Sequence, residues 1–139
     1  MNMNLESQKK TIKVVAALIE VNGKIFCAQR AYGELKGKWE FPGGKVEVGE
    51  TNEQALVREI KEELDTTIVV DSFFTNVVYE YPTFILDMDV YRSHVSEGRL
   101  EVEDGIHLAE KFVPVNELEM LDWCPADFSI AEKIRRNTL

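Results

Sequence analysis

Residues 39–64 read WEFPGGKVEVGETNEQALVREIKEEL, and the fold turns on how this stretch is parsed. Trp39, Glu40 and Phe41 predict a short strand. Pro42 stops it, since proline brings no N–H to a ladder, and Gly43 and Gly44 then free the backbone of side chains. A loop runs on to Glu50. Thr51 predicts a helix N-cap, with Gln54 placed to complete a capping box. The helix extends from residue 52 to about 64, with Leu56, Ile60 and Leu64 at i, i+4 and i+8 as its apolar stripe. Glu59, Glu62 and Glu63 follow i, i+3, i+4 spacing, so three carboxylates project from one sector. Arg58 lies beside them, one turn from Glu62.

Upstream, residues 11–20 (TIKVVAALIE) form an apolar run rich in β-branched residues and predict a strand. Asn22-Gly23 tolerates positive φ at both centres of a type I′ turn, so residues 24–30 (KIFCAQR) predict the returning strand. Residues 31–38 predict an exposed loop. Downstream, 66–81 predicts extended chain ended by Pro82. Residues 83–95 predict another strand, with Ile85, Asp87 and Asp89 alternating against Leu86, Met88 and Val90. An acidic loop spans 97–105, a short strand 111–115 and a helical turn 117–121. Pro125 opens a final helix with Ile130 and Ile134 on its apolar face. The order β-β-β-α-β-β-β-α predicts a mixed sheet covered by helices on both sides. Residues 1–10 predict a frayed tail, and 11–139 a single domain.

The 139 residues suffice for one domain with one core, and 45% hydrophobic with 29% charged residues excludes disordered and low-complexity classes. Sixteen Lys and Arg against 25 Asp and Glu leave a formal net charge of −9. Such a surface repels nucleic-acid polymers. It can still bind a small polyphosphate if divalent cations sit between the two anions. No apolar run is long enough for a membrane span, and residues 1–10 lack the apolar core of a secretory signal. Cys27 and Cys124 lie far apart and predict buried packing residues in a reducing, cytoplasmic setting.

Three carboxylates on one helical sector cost helix stability unless something neutralises them. A solvated acidic face is one reading, and a hard cation such as Mg²⁺, which prefers oxygen ligands, is the other. The glycine pair in front favours the cation, because bare backbone can approach a ligand closely there.

At this point the residues resemble a known family. Gly44-x5-Glu50-x7-Arg58-Glu59-Ile60-Lys61-Glu62-Glu63 is similar to the signature box of the Nudix hydrolases, G-x5-E-x7-R-E-U-x-E-E-x-G-U. The hairpin, residues 39–45 and Pro125-Ala126-Asp127 resemble the MutT-like branch, especially its CTP/5-methyl-dCTP pyrophosphohydrolases, so the likeness runs from about Lys13 onward. One departure stands out. The box normally ends in Gly and an aliphatic residue, where this chain has Asp65 and Thr66. Asp tolerates the left-handed conformation that the Gly serves, which predicts a slightly altered helix end.

The resemblance implies an α/β (α+β) Nudix fold, a mixed β-sheet in an α/β/α sandwich. It implies Mg²⁺-dependent hydrolysis of a nucleoside triphosphate, cytidine-type or oxidised, to the monophosphate and pyrophosphate, with Mn²⁺ able to substitute. An 8-oxo-dGTP-sanitising enzyme and a non-catalytic nucleotide-binding module are the alternatives. Carried over by position, Glu59, Glu62 and Glu63 would ligate metal with the Gly43 carbonyl. Arg58 would orient the acids and Glu50 would hold loop to helix. The general base would be Glu59, Glu62 or an acid of the 97–105 loop, with Glu103 and Asp104 as candidates. Arg30, Phe41, Lys45, Tyr81 and Asp127 are the candidate substrate contacts. Each also has a plainer role: surface cation for Arg30 and Lys45, core aromatic for Phe41 and Tyr81, and helix-start acid for Asp127. The expected assembly is a monomer or homodimer.

Overall fold

The computed structural model describes residues 9–100 and 107–137. Strand β1 (Lys10–Val21) turns into β2 (Lys24–Arg30), followed by β3 (Trp39–Glu40), β4 (Gly43–Lys45) and helix α1 (Asn52–Leu64). Two long strands, β5 (Thr67–Glu80) and β6 (Phe84–Glu97), precede β7 (His107–Pro114), a 3-10 turn over Val115–Met120 and helix α2 (Pro125–Asn137). The expected frayed tail begins outside the described residues, and Lys10 is already in β1, paired with Phe84.

The sheet is mixed. Its main path runs β3-β2-β1-β6-β5, with β4 paired to β1 and β7 to β2. β1 and β6 are parallel over ten residue pairs, from Lys10↔Phe84 to Ile19↔Ser93, and the other pairings are antiparallel. Side chains alternate across β1 and feed two cores. Val15, Ala17 and Ile19 pack with Ala55, Leu56, Ile60 and Leu64 of α1. Ala16 and Leu18 face the other way, into the cluster holding Ile130, Ala131 and Ile134 of α2. Burial on both faces explains why residues 14–19 (VVAALI) are continuously apolar.

The hairpin forms as predicted, with φ of 54° at Asn22 and 77° at Gly23. The capping box also forms. Thr51 Oγ1 accepts from Gln54 N at 3.1 Å, and Gln54 Oε1 accepts from Thr51 N at 3.0 Å. Asp65 closes α1 at φ 49°, ψ 41°, held by Lys61 Nζ donating to its carboxylate at 2.7 Å. Thr66, where the box would have its aliphatic residue, is buried and donates to the Leu64 carbonyl at 2.9 Å. Both cysteines are buried and free.

One expectation needs correction. Residues 43–45, expected to be loop, form β4. A Cβ at Gly43 would stand 1.9 Å from the Val15 carbonyl oxygen, so only glycine lets this backbone lie against β1. Asp89, placed by alternation on the strand face opposite Leu86, Met88 and Val90, is 9% exposed. β6 lies between β1 and β5, and its residues 88–91 are buried. Asn76, Lys13 and Asn52 donate to the Asp89 carboxylate.

Candidate active site

Arg58 organises the helix that carries the acids. Its Nε and Nη2 grip Glu50 from two sides, at 2.6 and 2.9 Å. Nη1 donates to Glu59 at 2.9 Å and to Glu62 at 3.3 Å, and Nη2 also reaches the Lys45 carbonyl at 3.0 Å. A guanidinium has five N–H donors, and these five contacts engage them all. Arg58 therefore ties α1 to the loop before it. The Glu47 N–H donates to Glu50 at 2.9 Å and completes the clamp. Hydrogen bonds from Arg58, then from the Glu47 backbone, pull the Glu50 carboxyl down to about 2. Arg58 and Glu50 join loop to helix, and neither lines the cavity beside them.

That cavity measures about 510 Å³. Among the candidates, Arg30, Phe41, Gly43, Lys45, Glu59, Glu63, Tyr81 and Asp127 line it. Glu62 does not. It is 59% exposed and sits on Arg58. The glycine corner is fitted to Glu59, since a Cβ at Gly44 would stand 2.3 Å from the Glu59 carboxyl carbon. Burial pushes the Glu63 carboxyl up to about 8, with Glu40 and Glu59 adding to the shift and Arg30 opposing it. Among the described residues, no three His, Cys, Asp or Glu side chains form a ready cation cage. The groups here nevertheless suit a hard cation. The side-chain donors are carboxylate oxygens, the corner is cut away for one of them, and the other is half-buried among like charges that a cation would offset. Glu59 and Glu63 would hold Mg²⁺ from the helix and the Gly43 carbonyl from the strand. Glu62 could join only by leaving Arg58.

The far wall is aromatic. Tyr81 stacks on Phe84 at 5.0 Å between ring centroids, and Phe41 stacks on Trp123 at 4.7 Å. Asp127 is buried, and its Oδ2 accepts from the Phe41 N–H at 3.0 Å. Burial raises its carboxyl to about 8 against that hydrogen bond, with Glu40 adding and Arg30 subtracting. Sequence reasoning missed Glu40, which accepts from Arg30 Nη1 at 3.0 Å and lines the cavity. The signal was present once register is known, because Ala28↔Glu40 pairing puts Glu40 and Arg30 on one face. Leu86 and Met88 were read as strand alternation only and Phe84 was not singled out, yet all three line the cavity. Glu103 and Asp104 lie outside the described residues.

The model of the NUDIX domain matches residues 9–134. The chain belongs to the Nudix family. It is 37% identical over 124 residues to a protein of Escherichia coli K12 named CTP pyrophosphohydrolase, covering 88% of this chain and 90% of that one. It is 44% identical over 129 residues to the 8-oxo-dGTP diphosphatase of the same strain, covering 92% and 98%. Among solved structures, the MutT protein of Methanosarcina mazei Go1 superposes with a TM-score of 0.82 at 25% identity, covering 94% of this chain and 97% of that one. This Nudix chain is a hydrolase with MutT-like relatives, as its box implied. No helix among the described residues is long and apolar enough to cross a membrane.

Proposed function

We propose that the protein hydrolyses a nucleoside triphosphate of cytidine type to the monophosphate and pyrophosphate, with Mg²⁺ as cofactor and Mn²⁺ as a substitute. One observation carries the reading. Glu59 and Glu63 open into the same 510 Å³ cavity as an aromatic wall and the buried Asp127, so phosphate-end and base-end chemistry share one enclosure. Such a volume suits a nucleotide-sized ligand.

Bound Mg²⁺ would neutralise phosphate charge and lower the pKa of a coordinated water. The protein's own residues do the rest. Arg58, with every donor occupied, holds Glu59 in place. Lys45, on the strand beside the glycine corner, faces the phosphate end as a point charge. Glu59 is the acid best placed to take a proton from the attacking water, since it reaches the cavity while Glu62 does not. Tyr81 and Phe84 supply the apolar slot for a base.

Asp127, pushed up to about 8 by burial, keeps its proton at neutral pH. A neutral carboxyl offers one O–H donor and one carbonyl acceptor. That pair complements cytosine, whose N3 accepts beside a donating N4 amino group. The relative named CTP pyrophosphohydrolase supports this choice. A second reading, 8-oxo-dGTP, is favoured by the 44% identity to an 8-oxo-dGTP diphosphatase.

A panel of canonical and oxidised nucleoside triphosphates with Mg²⁺, assayed for pyrophosphate and for orthophosphate, tests the proposal. Cytidine nucleotides should rank first by kcat/KM, with pyrophosphate and monophosphate formed one to one. First rank for 8-oxo-dGTP would replace the base assignment. Orthophosphate release, or no turnover, would overturn the reaction.

A further inference from the structure

α1 is held to the sheet by more than its apolar stripe. Asp89 on β6 gathers four elements around one carboxylate. Its Oδ2 accepts from Asn52 Nδ2 of α1 at 2.9 Å and pairs with Lys13 Nζ of β1 at 3.1 Å. Its Oδ1 accepts from Asn76 Nδ2 of β5 at 2.8 Å. Asn52 Nδ2 also donates to Tyr91 Oη at 3.1 Å. Asn52 is the first residue of α1, directly after the N-cap Thr51 and within the capping box.

The helical wheel gives this contact a meaning beyond packing. At about 100° per residue, Glu59 and Glu63 lie within roughly 20° of Asn52 around the helix axis. Glu62 falls roughly 80° away, in accord with its exposure. The residue pinned to Asp89 is thus on the very stripe that carries both cavity-facing acids. The contacts of Leu56, Ile60 and Leu64 bury area but set no direction, so they tolerate small rolling of the helix. A hydrogen bond to a fixed carboxylate does not. A carboxylate about 6 Å from the axis moves about 1 Å for each 10° of roll. At the Gly44 corner there is no slack for such movement.

We propose that Asn52 and Asp89 are positioning residues that fix the rotation of α1 about its axis and so aim Glu59 and Glu63 into the cavity. This rests on the reading of those two acids as the cation-holding groups.

The test is a swap with two readouts. Asn52→Asp opposes two carboxylates, and the double variant Asn52→Asp/Asp89→Asn re-forms the bond with its donor on the sheet side. Mn²⁺ affinity is measured by the electron paramagnetic resonance of free Mn²⁺, without nucleotide. Turnover with nucleotide is measured separately. Asn52→Asp should weaken Mn²⁺ binding and lower kcat at least about tenfold with KM within about twofold, and the swap should restore both to within about threefold. Should Asn52→Asp not fold, Asn52→Ala keeps a good helix former there and should show the same losses. Lowered melting temperature with unchanged Mn²⁺ affinity and kcat would reduce the contact to ordinary stabilisation and overturn the proposal, as would a folded swap that restores neither. Absence of pyrophosphate release by the unaltered protein would instead defeat the reaction assignment, while the Mn²⁺ readout would still report on the helix.

Discussion

Replacing Gly44 by alanine tests the glycine corner without touching an ionisable group. The new Cβ would stand 2.3 Å from the Glu59 carboxyl carbon and Oε2. Ordinary contact begins at about 3.4 Å, so the carboxylate must retreat by about 1.1 Å. Displacement of a reacting or cation-holding group by about 1 Å costs roughly 10²-fold in rate. Stability should hardly change. What moves is the end of a side chain, and alanine restricts the unfolded chain more than glycine does, a gain of about 0.4–1 kcal/mol. Gly43→Ala is the matched control. Its Cβ would meet the Val15 carbonyl oxygen at 1.9 Å and Ala16 Cα at 2.8 Å, both backbone of β1. Forced overpacking of this kind costs about 1–3 kcal/mol or more, so Tm should fall by roughly 3–10 °C. The assays are thermal unfolding and pyrophosphate release at saturating Mg²⁺. If Gly44→Ala keeps kcat within about threefold, or loses as much Tm as Gly43→Ala, the fitted-corner argument is wrong.

Glu63→Gln should lower kcat by about 10² or more with the fold intact, because it removes a half-buried carboxylate from among like charges; wild-type turnover would remove Glu63 from the site. Arg58→Lys gives up the grip on Glu50 and cannot reach Glu59 and Glu62 together, so the Mg²⁺ concentration for half-maximal rate should rise severalfold; an unchanged Mg²⁺ titration would deny Arg58 its positioning role. Asp127 binds its proton up to about pH 8 when folded, surrounded by Glu40, Arg30, Tyr81 and the two cysteines, but only to about pH 4 when unfolded. Its folded pKa is raised, so its contribution to stability is complete below about pH 4 and is lost as pH rises to about 8. Urea unfolding from pH 5 to 8.5 should show stability falling more steeply for the native sequence than for Asp127→Asn, and equal slopes would contradict the burial argument.

The parts of this fold that depend on neighbouring residues were legible in the sequence. The Asn22-Gly23 turn, the Thr51–Gln54 capping box and the left-handed Asp65 are decided by local backbone chemistry, and the structure has all three. The acid spacing on α1 put Glu59 and Glu63 together, and both line the cavity. What escaped was set by pairing at a distance. β4 exists because Gly43 can lie flat against β1, and nothing within residues 43–45 announces that partner. The burial of Asp89 was not legible, because alternation within one strand does not report which strands pair on either side of it. Glu40 needed the β2–β3 register to be seen beside Arg30. The box spacing grouped Glu62 with Glu59 and Glu63, but Arg58 draws it to the outside of the helix.

The most direct measurement is a crystal structure of the protein with Mg²⁺ and a non-hydrolysable cytidine triphosphate analogue. Mg²⁺ should lie within about 2.1 Å of oxygens from Glu59 and Glu63, between them and the phosphates, with the base between Tyr81 and Asp127. Ions and phosphates bound away from the glycine corner, with Glu59 still on Arg58 and Glu63 free of metal, would contradict it.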